Sequence, residues 1–157
     1  MRITLALMLI ILAFAFSCKD NPGTGPREIY YGEDICERCK MIISEEAFSA
    51  QYILSGGQVR KFDDLGCMLL YTSEGEGGED EREDITAYYV KDYTSGEWID
   101  GGSAYYIWSQ SIKTPMGHGI VAIKGEGAAR ELAERENGRY LGGFNEAREF
   151  ILEEGKK

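Results

Sequence analysis

The sequence predicts an α+β fold of two tandem ββαβ units followed by a C-terminal helix. The order strand, strand, helix, strand occurs between residues 47 and 93 and again between residues 103 and 142. A Ser-Gly-Gly turn at residues 55–57 joins the first two strands and is a hairpin signal. Beyond the second unit, residues 144–154 carry apolar side chains at helical spacing, which predicts the final helix.

The amino-terminal segment is predicted to lie outside this fold. Arg2 precedes a 14-residue run that is apolar except for Thr4, and Ser17-Cys18 follows the run. This order is typical of a secretory signal, whereas a transmembrane helix needs about 20 apolar residues. A cysteine directly after a small residue indicates a bacterial lipobox in which Cys18 is lipidated. We therefore predict a lipoprotein signal peptide at 1–17 and a lipidated tether at 18–35, with a retained signal anchor or a secreted soluble protein as alternatives.

Charge and cysteine count limit the possible functions. The formal net charge is −10, and nucleic-acid binding needs a basic face, so no nucleic-acid partner is expected. If Cys18 carries lipid, an odd number of cysteines remains: Cys36, Cys39 and Cys67. In an oxidising compartment this set predicts either one disulfide and a free thiol, or thiols that a metal protects.

The first unit is predicted to span residues 36–97. Its elements are strands at 47–54 and 58–62, a helix at 65–71 and a strand at 85–93. Asp63 and Asp64 precede the helix and are predicted to cap its N terminus. Residues 74–84 are acidic and glycine-rich but lack the ligand spacing of a calcium loop, so we expect a solvated loop there.

The second unit is predicted to span residues 98–157. Its elements are strands at 103–109 and 116–123, a helix at 127–137, a short strand at 139–141 and the C-terminal helix at 144–154. Four apolar residues at helical spacing are predicted to face inward: Ala128, Ala129, Leu132 and Ala133. The two units thus repeat a topology without repeating a sequence.

Two pairs of side chains predict a site for a soft metal ion. Cys39 and Met41 offer a thiolate and a thioether, the ligands that favour Cu(I). In an extended chain residues i and i+2 project to the same face, which would place the pair side by side. The same spacing in Met116-Gly117-His118 would pair a thioether with an imidazole. We predict that the two pairs, one from each unit, close on a single Cu(I), with His118 as a possible ligand.

The cysteines permit other interpretations. Cys36 and Cys39 form a C-x-x-C pair that could be a disulfide or a redox motif, although no tryptophan precedes it. Cys67 is expected to be a buried thiol on a helix, with metal ligation as the alternative. Together with His118, the three cysteines could instead form a structural Cys3His zinc site.

No hydrolytic motif stands out in the sequence. There is a single histidine, and the chain lacks a G-x-S-x-G motif, an H-E-x-x-H motif and a phosphate-binding glycine loop. This absence favours a binding protein over an enzyme. A thiol–disulfide oxidoreductase is the alternative that the C-x-x-C pair leaves open.

Several motifs occur in order along the chain. They are Cys36-x-x-Cys39-x-Met41-x-Ile43, Ala50-Gln51, Phe62-Asp63-Asp64-x-Gly66-Cys67, Trp108 and Thr114-Pro115-Met116-Gly117-x-Gly119-Ile120. In this order they resemble the NosL lipoproteins, which are accessory proteins in the maturation of nitrous oxide reductase. One departure is Lys40, because the family often has glycine between the cysteine and the methionine.

The resemblance implies a membrane-anchored Cu(I) metallochaperone on the extracytoplasmic, periplasmic side. It also implies two ββαβ units in a fold shared with organomercurial lyases, and Cu(I) ligation by Cys39, Met41 and Met116. The implied partners are a copper-dependent reductase, such as nitrous oxide reductase, or its maturation or transport complex. Because of the shared fold, cleavage of carbon–mercury bonds is an alternative activity.

Overall fold

The computed structural model describes residues 25–73, 78 and 80–154. The predicted signal peptide and Cys18 lie outside these residues. The strands are β1 (Ala50–Leu54), β2 (Val59–Phe62), β3 (Ile85–Lys91), β4 (Trp98–Asp100), β5 (Tyr105–Trp108), β6 (Ile120–Ile123) and β7 (Arg139–Gly142). The α-helices are α1 (Leu65–Tyr71), α2 (Glu126–Arg135) and α3 (Phe144–Glu154).

The strands form two antiparallel sheets, one in each unit. The first sheet has the order β2-β1-β3-β4 and the second has the order β6-β5-β7. In each unit a hairpin is followed by a helix, and the chain then returns as a strand beside the first strand of the hairpin. The predicted α+β class, the two ββαβ units and the C-terminal helix are therefore confirmed.

Strand β4 was not expected from the sequence. It pairs with β3 in an antiparallel register that places Val90 opposite Ile99. The first sheet therefore continues past residue 97, where the second unit is predicted to begin. A three-residue strand gives too short a pattern for a period of two to be recognised.

Two details of the second unit also differ from the prediction. The strand predicted at 116–123 begins only at Ile120, because Gly117 and Gly119 have left-handed φ angles of 72° and 67°. Ala128 was predicted to face inward but is exposed. Helix α2 buries instead the other three residues of that set, Ala129, Leu132 and Ala133.

A main hydrophobic core spans the two units. It contains Phe62 and Met68 from the first unit, Tyr106 and Ile120 from the second, and Phe150 from α3. Helix α3 links the two units because it packs against α1 of the first unit and against β5 and β7 of the second. Burial of this shared apolar surface holds the units together as one body.

The two sheets are also joined by the backbone. Asp92 forms a parallel bridge with Ala122, and the Tyr93 N–H donates to the Ala122 carbonyl at 2.9 Å. A smaller core cluster, which includes Ile107, Val121 and Leu132, lies within the second unit. In the described ranges no helix has the length and apolar character that crossing a bilayer requires.

Candidate metal centre

A tight loop at residues 35–42 carries the C-x-x-C-x-M motif. An antiparallel bridge closes its two ends, and the Cys36 N–H donates to the Met41 carbonyl at 2.8 Å. Inside the loop the Lys40 N–H donates to the Cys36 carbonyl at 3.1 Å. Lys40 has a φ of 62°, in the left-handed region that glycine adopts most easily. The loop therefore reverses the chain within the motif.

This reversal overturns the extended geometry predicted for Cys39 and Met41. Only an extended chain places residues i and i+2 on one face, and Lys40 between them is left-handed. Met41 is 57% exposed, whereas Cys39 is partly buried. The same-face argument is therefore wrong for this pair, and the role of Met41 as a ligand stays a prediction.

Four side chains converge beside the loop. The Sγ atoms of Cys36, Cys39 and Cys67 and a carboxylate oxygen of Asp63 all lie within 4.8 Å of one another. Cys36 and Cys67 are fully buried, and the Cys39 thiol donates to Oδ1 of Asp63 at 3.4 Å. All three cysteines are free thiols. Because thiolates bind soft ions, this four-residue group, called here the thiol cluster, is a candidate metal centre.

Two separate segments build the thiol cluster. Asp63 directly follows β2, and Cys67 lies in the first turn of α1. The loop at 35–42 is held against β2 because the Glu37 N–H donates to the Lys61 carbonyl at 2.9 Å. The edge of the first sheet thus brings the C-x-x-C pair to the β2–α1 connection.

The three thiols do not ionise equally. A hydrogen bond from the Cys67 thiol lowers the pKa of Cys36 to about 6. Burial raises this pKa, and the N–H groups of Asp63 and Cys39 lower it further. Burial raises the pKa of Cys39 to about 11, despite donation from the Met41 N–H. The hydrogen bond to Cys36 and burial raise the pKa of Cys67 far above its usual range. Cys36 is therefore the most acidic thiol of the cluster, and a thiophilic cation that binds all three sulfur atoms must displace the thiol protons of Cys39 and Cys67.

Asp64 connects the cluster to the T-P-M-G loop of the second unit. Its Oδ1 accepts the Gly66 N–H at 2.6 Å, which confirms the predicted helix cap. Its Oδ2 accepts the Met116 N–H at 3.0 Å. Asp64 is fully buried, and Met116 is partly buried against the main core. One carboxylate therefore fixes the helix that carries Cys67 and the loop that carries Met116.

His118 packs on the same helix. A Cβ atom added at Gly66 would lie 2.4 Å from the Cγ and Cδ2 atoms of the His118 ring, so the imidazole lies directly against this glycine. Gly117 is left-handed, so the same-face argument for Met116 and His118 is also wrong. The thiol cluster contains Asp63 and not His118, which differs from the Cys3His zinc alternative.

The imidazole of His118 has an unused ligand atom. Within the described part of the chain, its Nε2 is a buried side-chain nitrogen that has no hydrogen-bond partner. Burial lowers the pKa of His118, and the charge of Asp64 acts in the opposite direction. A neutral imidazole offers a lone pair to a metal, and the role of His118 as a possible ligand stays a prediction.

The same histidine lines a cleft of about 380 Å³. Trp108, Gln110, Lys113 and Phe150 form other parts of its wall. The cysteines of the thiol cluster do not line it. The cleft and the thiol cluster are thus separate features.

Comparison with known proteins places the chain in a family. Residues 29–150 match the model of the NosL family, which is more than half of the chain. The chain belongs to the NosL family. It is similar to the copper-binding lipoprotein NosL of Stutzerimonas stutzeri, with 27% identity in an alignment 165 positions long that covers 94% of this chain and 82% of the relative.

A solved member of the NosL family shares the fold. It is the copper chaperone NosL from Shewanella denitrificans, whose crystal structure matches with a TM-score of 0.63 and 16% identity. The match covers 75% of this chain and 92% of the other. The two mixed α and β structures therefore have the same architecture, in agreement with the predicted fold class.

Sequence reasoning missed two roles in this NosL-family chain. It assigned Asp63 to capping alone, whereas the side chain belongs to the thiol cluster. It also treated Asp64 as a cap without its second contact to Met116. The spacing of both aspartates before Cys67 was a usable signal for the first role. No local pattern indicated the second.

Proposed function

We propose that the protein is an extracytoplasmic, lipid-anchored Cu(I) chaperone. The observation that carries the proposal is the convergence of three free thiols within 4.8 Å of one another, two of them from the loop that also carries the exposed Met41. Thiolate and thioether ligands prefer Cu(I) to harder ions. Membership of the NosL family and the copper-binding names of the two relatives support the same conclusion.

The proposed ligands are those predicted from the sequence. Cys39 is the partly exposed thiol, Met41 is the exposed thioether, and Met116 is held near α1 through Asp64. His118 is a possible further ligand because its Nε2 is buried without a partner. The cargo would bind by displacing the thiol proton of Cys39 and would remain Cu(I) throughout.

Delivery would proceed by ligand exchange. A sulfur or imidazole donor of the acceptor forms a bond to Cu(I) while a bond from the chaperone to Cu(I) breaks, and the released thiolate regains a proton from water. No electron is transferred in this exchange. An exposed ligand such as Met41 suits it, because an incoming donor can reach the ion from solvent. This role is one of binding and transfer, and we assign no catalysis to the protein.

The proposed recipient is a copper-dependent reductase, such as nitrous oxide reductase, or its maturation or transport complex. Anchoring would involve a lipid on Cys18, which agrees with the name lipoprotein of the Stutzerimonas stutzeri relative. A Cys18→Ala variant should be released from membranes into the soluble fraction of expressing cells and should lose incorporation of a labelled fatty acid. Continued membrane association with lipid label would contradict the anchor.

Metal binding is tested by anaerobic titration of the protein with Cu(I) against a competing chromogenic chelator, with Zn(II) in a parallel series. We expect one tightly bound Cu(I) per chain and a weaker affinity in Cys39→Ser and Met116→Leu variants. Met68→Leu is the matched control, because Met68 is a fully buried core thioether. Unchanged Cu(I) affinity in Cys39→Ser would contradict the ligand assignment.

The donor set of the cluster also fits a second candidate, a structural zinc site. Zinc accepts three cysteines and one carboxylate in tetrahedral geometry, and structural zinc contributes directly to folding. The parallel titration separates the two candidates. Preferential Zn(II) binding, with unfolding when a chelator removes the metal, would establish the structural site in place of the chaperone.

A further inference from the structure

We infer that Cys36 and Cys67, together with Cys39, form a buried all-thiolate station for Cu(I), behind the more exposed ligands Met41 and Met116. This inference rests on the proposed function and deepens it by dividing the metal path into an outer and an inner part. The outer part exchanges copper with a partner. The inner part retains the ion between exchanges.

The sulfur-containing residues of the two parts differ in exposure. Met41 is 57% exposed, Cys39 is partly buried, and both Cys36 and Cys67 have no exposed surface. An ion that first binds Cys39 would therefore meet two further sulfur atoms, both buried, within 4.8 Å of the Cys39 Sγ. Solvent and external chelators would have less access to it there.

The distances suit one ion. With metal–sulfur bonds of about 2.3 Å, the length found for zinc thiolates, two sulfurs on one ion lie about 4.0 Å apart in trigonal geometry and about 4.6 Å apart on opposite sides. The thiol cluster already has its sulfur atoms within 4.8 Å of one another. An ion can therefore enter with little movement of the backbone.

The backbone around the cluster is arranged to support sulfur anions. The Sγ of Cys36 accepts N–H groups of Asp63 and Cys39, and the Sγ of Cys39 accepts the N–H of Met41. Hydrogen bonds of this kind stabilise charged acceptors and orient ligands around a metal. They come from the left-handed turn at Lys40 and from the β2–α1 connection, so the fold supplies them in advance.

Asp63 borders the inner station. The residue is only 3% exposed, and its carboxylate accepts a hydrogen bond from the Cys39 thiol. Binding of Cu(I) by all three thiolates releases more than one thiol proton to water, whereas the ion brings a single positive charge, so the cluster becomes more negative. The backbone N–H groups that face Cys36 and Cys39 offset part of this added charge. Copper stays in the Cu(I) state, because only protons and sulfur–metal bonds change.

The experiment compares Cu(I) affinity and release in the full-length protein and three variants. Cys36→Ala/Cys67→Ala removes the inner thiols and keeps Cys39, Met41→Leu removes an outer thioether, and Met68→Leu is the core control next to Cys67. We expect the double variant to bind Cu(I) about 100-fold more weakly than the wild-type protein. Loss of a residue that only orients a ligand lowers metal affinity by about 10- to 100-fold, and loss of two ligands should reach at least the upper end of that range. The double variant should also give up copper to a chelator faster than the wild-type protein. Met41→Leu should reduce the rate of capture more than the affinity.

A second measurement makes the test independent of whether the double variant folds. Silver(I) has the same charge and d¹⁰ configuration as Cu(I), and NMR detects coupling from ¹⁰⁹Ag to the β-protons of each ligating cysteine. We expect coupling to all three cysteines of the cluster in the wild-type protein. Coupling to Cys39 alone, or wild-type Cu(I) affinity in a folded double variant, would overturn the inner station and leave the chaperone proposal intact. Failure of the wild-type protein to bind Cu(I) would instead overturn the proposed function, and the inner station with it.

Discussion

The two ββαβ units have the same topology but differ at one connection, the turn from the second strand to the helix. In the first unit this turn contains Asp63 and Asp64, both buried, and the side chain of Asp64 caps α1. In the second unit the corresponding turn, Lys124-Gly125, is exposed, and Gly125 caps α2 without a side-chain hydrogen bond. The same position in the fold is thus a plain surface turn in one unit and part of the candidate metal centre in the other.

The thiol cluster therefore belongs to the first unit, whereas the second unit contributes Met116 and His118 next to α1. All three described cysteines lie in the first unit or in the loop that precedes it. The second unit contributes the Met116 N–H to Asp64 and the Lys124 N–H to Asp92, so two buried aspartates hold its backbone. If this division is correct, substitutions at equivalent positions of the two units should have different consequences.

The largest effect is expected at Asp64. Asp64→Ala leaves the N–H groups of Gly66 and Met116 without their acceptor in a buried site, which should lower the free energy of unfolding by about 3 kcal/mol. Asp64→Asn is the matched variant, because asparagine caps helices as well as aspartate does. It should lower the free energy of unfolding by less than Asp64→Ala. Urea denaturation of both variants measures the difference. A loss in Asp64→Ala of only the usual cap energy, about 1 kcal/mol, would show that the contact to Met116 contributes nothing.

The next effect is expected at Asp92, which joins the two sheets. Its carboxylate accepts N–H groups of Thr94 and Ser95 at 2.9 and 2.8 Å and that of Lys124 at 2.7 Å. Asp92→Ala should therefore lower the free energy of unfolding by about 2 kcal/mol. Asp100→Ala is a control, since Asp100 lies on the exposed edge strand β4 and accepts from Ser103 within its own turn.

Asp92 also predicts a dependence of stability on pH. Burial raises its pKa, but the N–H donors of Ser95, Lys124 and Thr94 outweigh burial and leave the pKa below its ordinary value. A carboxyl with a depressed folded-state pKa contributes stability above its unfolded pKa of about 3.9, and that contribution disappears as the pH falls through the folded value. The stability difference between wild type and Asp92→Asn should therefore be constant from pH 5 to 7 and shrink below about pH 4. A constant difference down to pH 2 would contradict the assignment.

A pair of glycines gives the most direct comparison of the two helices. Gly66 is the second residue of α1 and contacts the His118 ring, whereas Gly127 is the second residue of α2 and has no atom within 4 Å of an added Cβ. Gly127→Ala should stabilise the protein by about 0.5–1 kcal/mol through helix propensity. Gly66→Ala should destabilise it by about 1–2 kcal/mol, because the overpacked imidazole must move.

Thermal unfolding of both glycine variants measures these energies, and the ring signals of His118 in NMR report its displacement. Gly66→Ala should shift those signals, whereas Gly127→Ala should leave them in place. If both alanine variants were more stable than the wild-type protein, the His118 ring would not resist a larger side chain at residue 66. The two helices would then be equivalent at this position.

The smallest effect is expected at Lys40. A non-glycine residue in the left-handed region is strained, so Lys40→Gly should stabilise the protein by less than about 1 kcal/mol after the entropy cost of glycine. Asn137, with a φ of 48° after α2, is the comparison in the second unit, and Asn137→Gly should give a similar or smaller gain. Destabilisation by Lys40→Gly would indicate that the exposed ion pair of Lys40 with Glu37 outweighs the strain.

Much of the fold was predictable because its signals are local. The hairpin turn at 55–57, the cap at Asp64 and the apolar spacing of α3 each depend on hydrogen bonding or packing within a few residues. Strand β4 was missed because three residues give no readable alternation. Ala128 was assigned inward because it lies at the edge of an apolar stripe whose centre is Ala129 and Leu132.

The candidate site was predictable only in part. The sulfur-containing side chains and the order of the motifs were visible in the sequence, and they led to the correct family. The geometry was wrong wherever it assumed extended chain, because Lys40 and Gly117 are left-handed. A lysine in a sequence does not indicate a left-handed residue. At Lys40 this conformation is imposed by the hydrogen bonds that close the loop at residues 35–42.

The sequence by itself determined the α+β class, the order of the two units, the family and the presence of residue types that can bind soft metals. Only the tertiary structure decided that Cys36 and Cys39 meet Cys67 and Asp63, and that Asp64 also holds the Met116 N–H. Secondary structure follows from backbone hydrogen bonds and apolar periods over a few residues, which a sequence displays directly. Contacts between residues 36 and 67, or 64 and 116, depend instead on how the loop, the β2–α1 connection and the second unit pack around the shared core. That packing is a property of the whole chain.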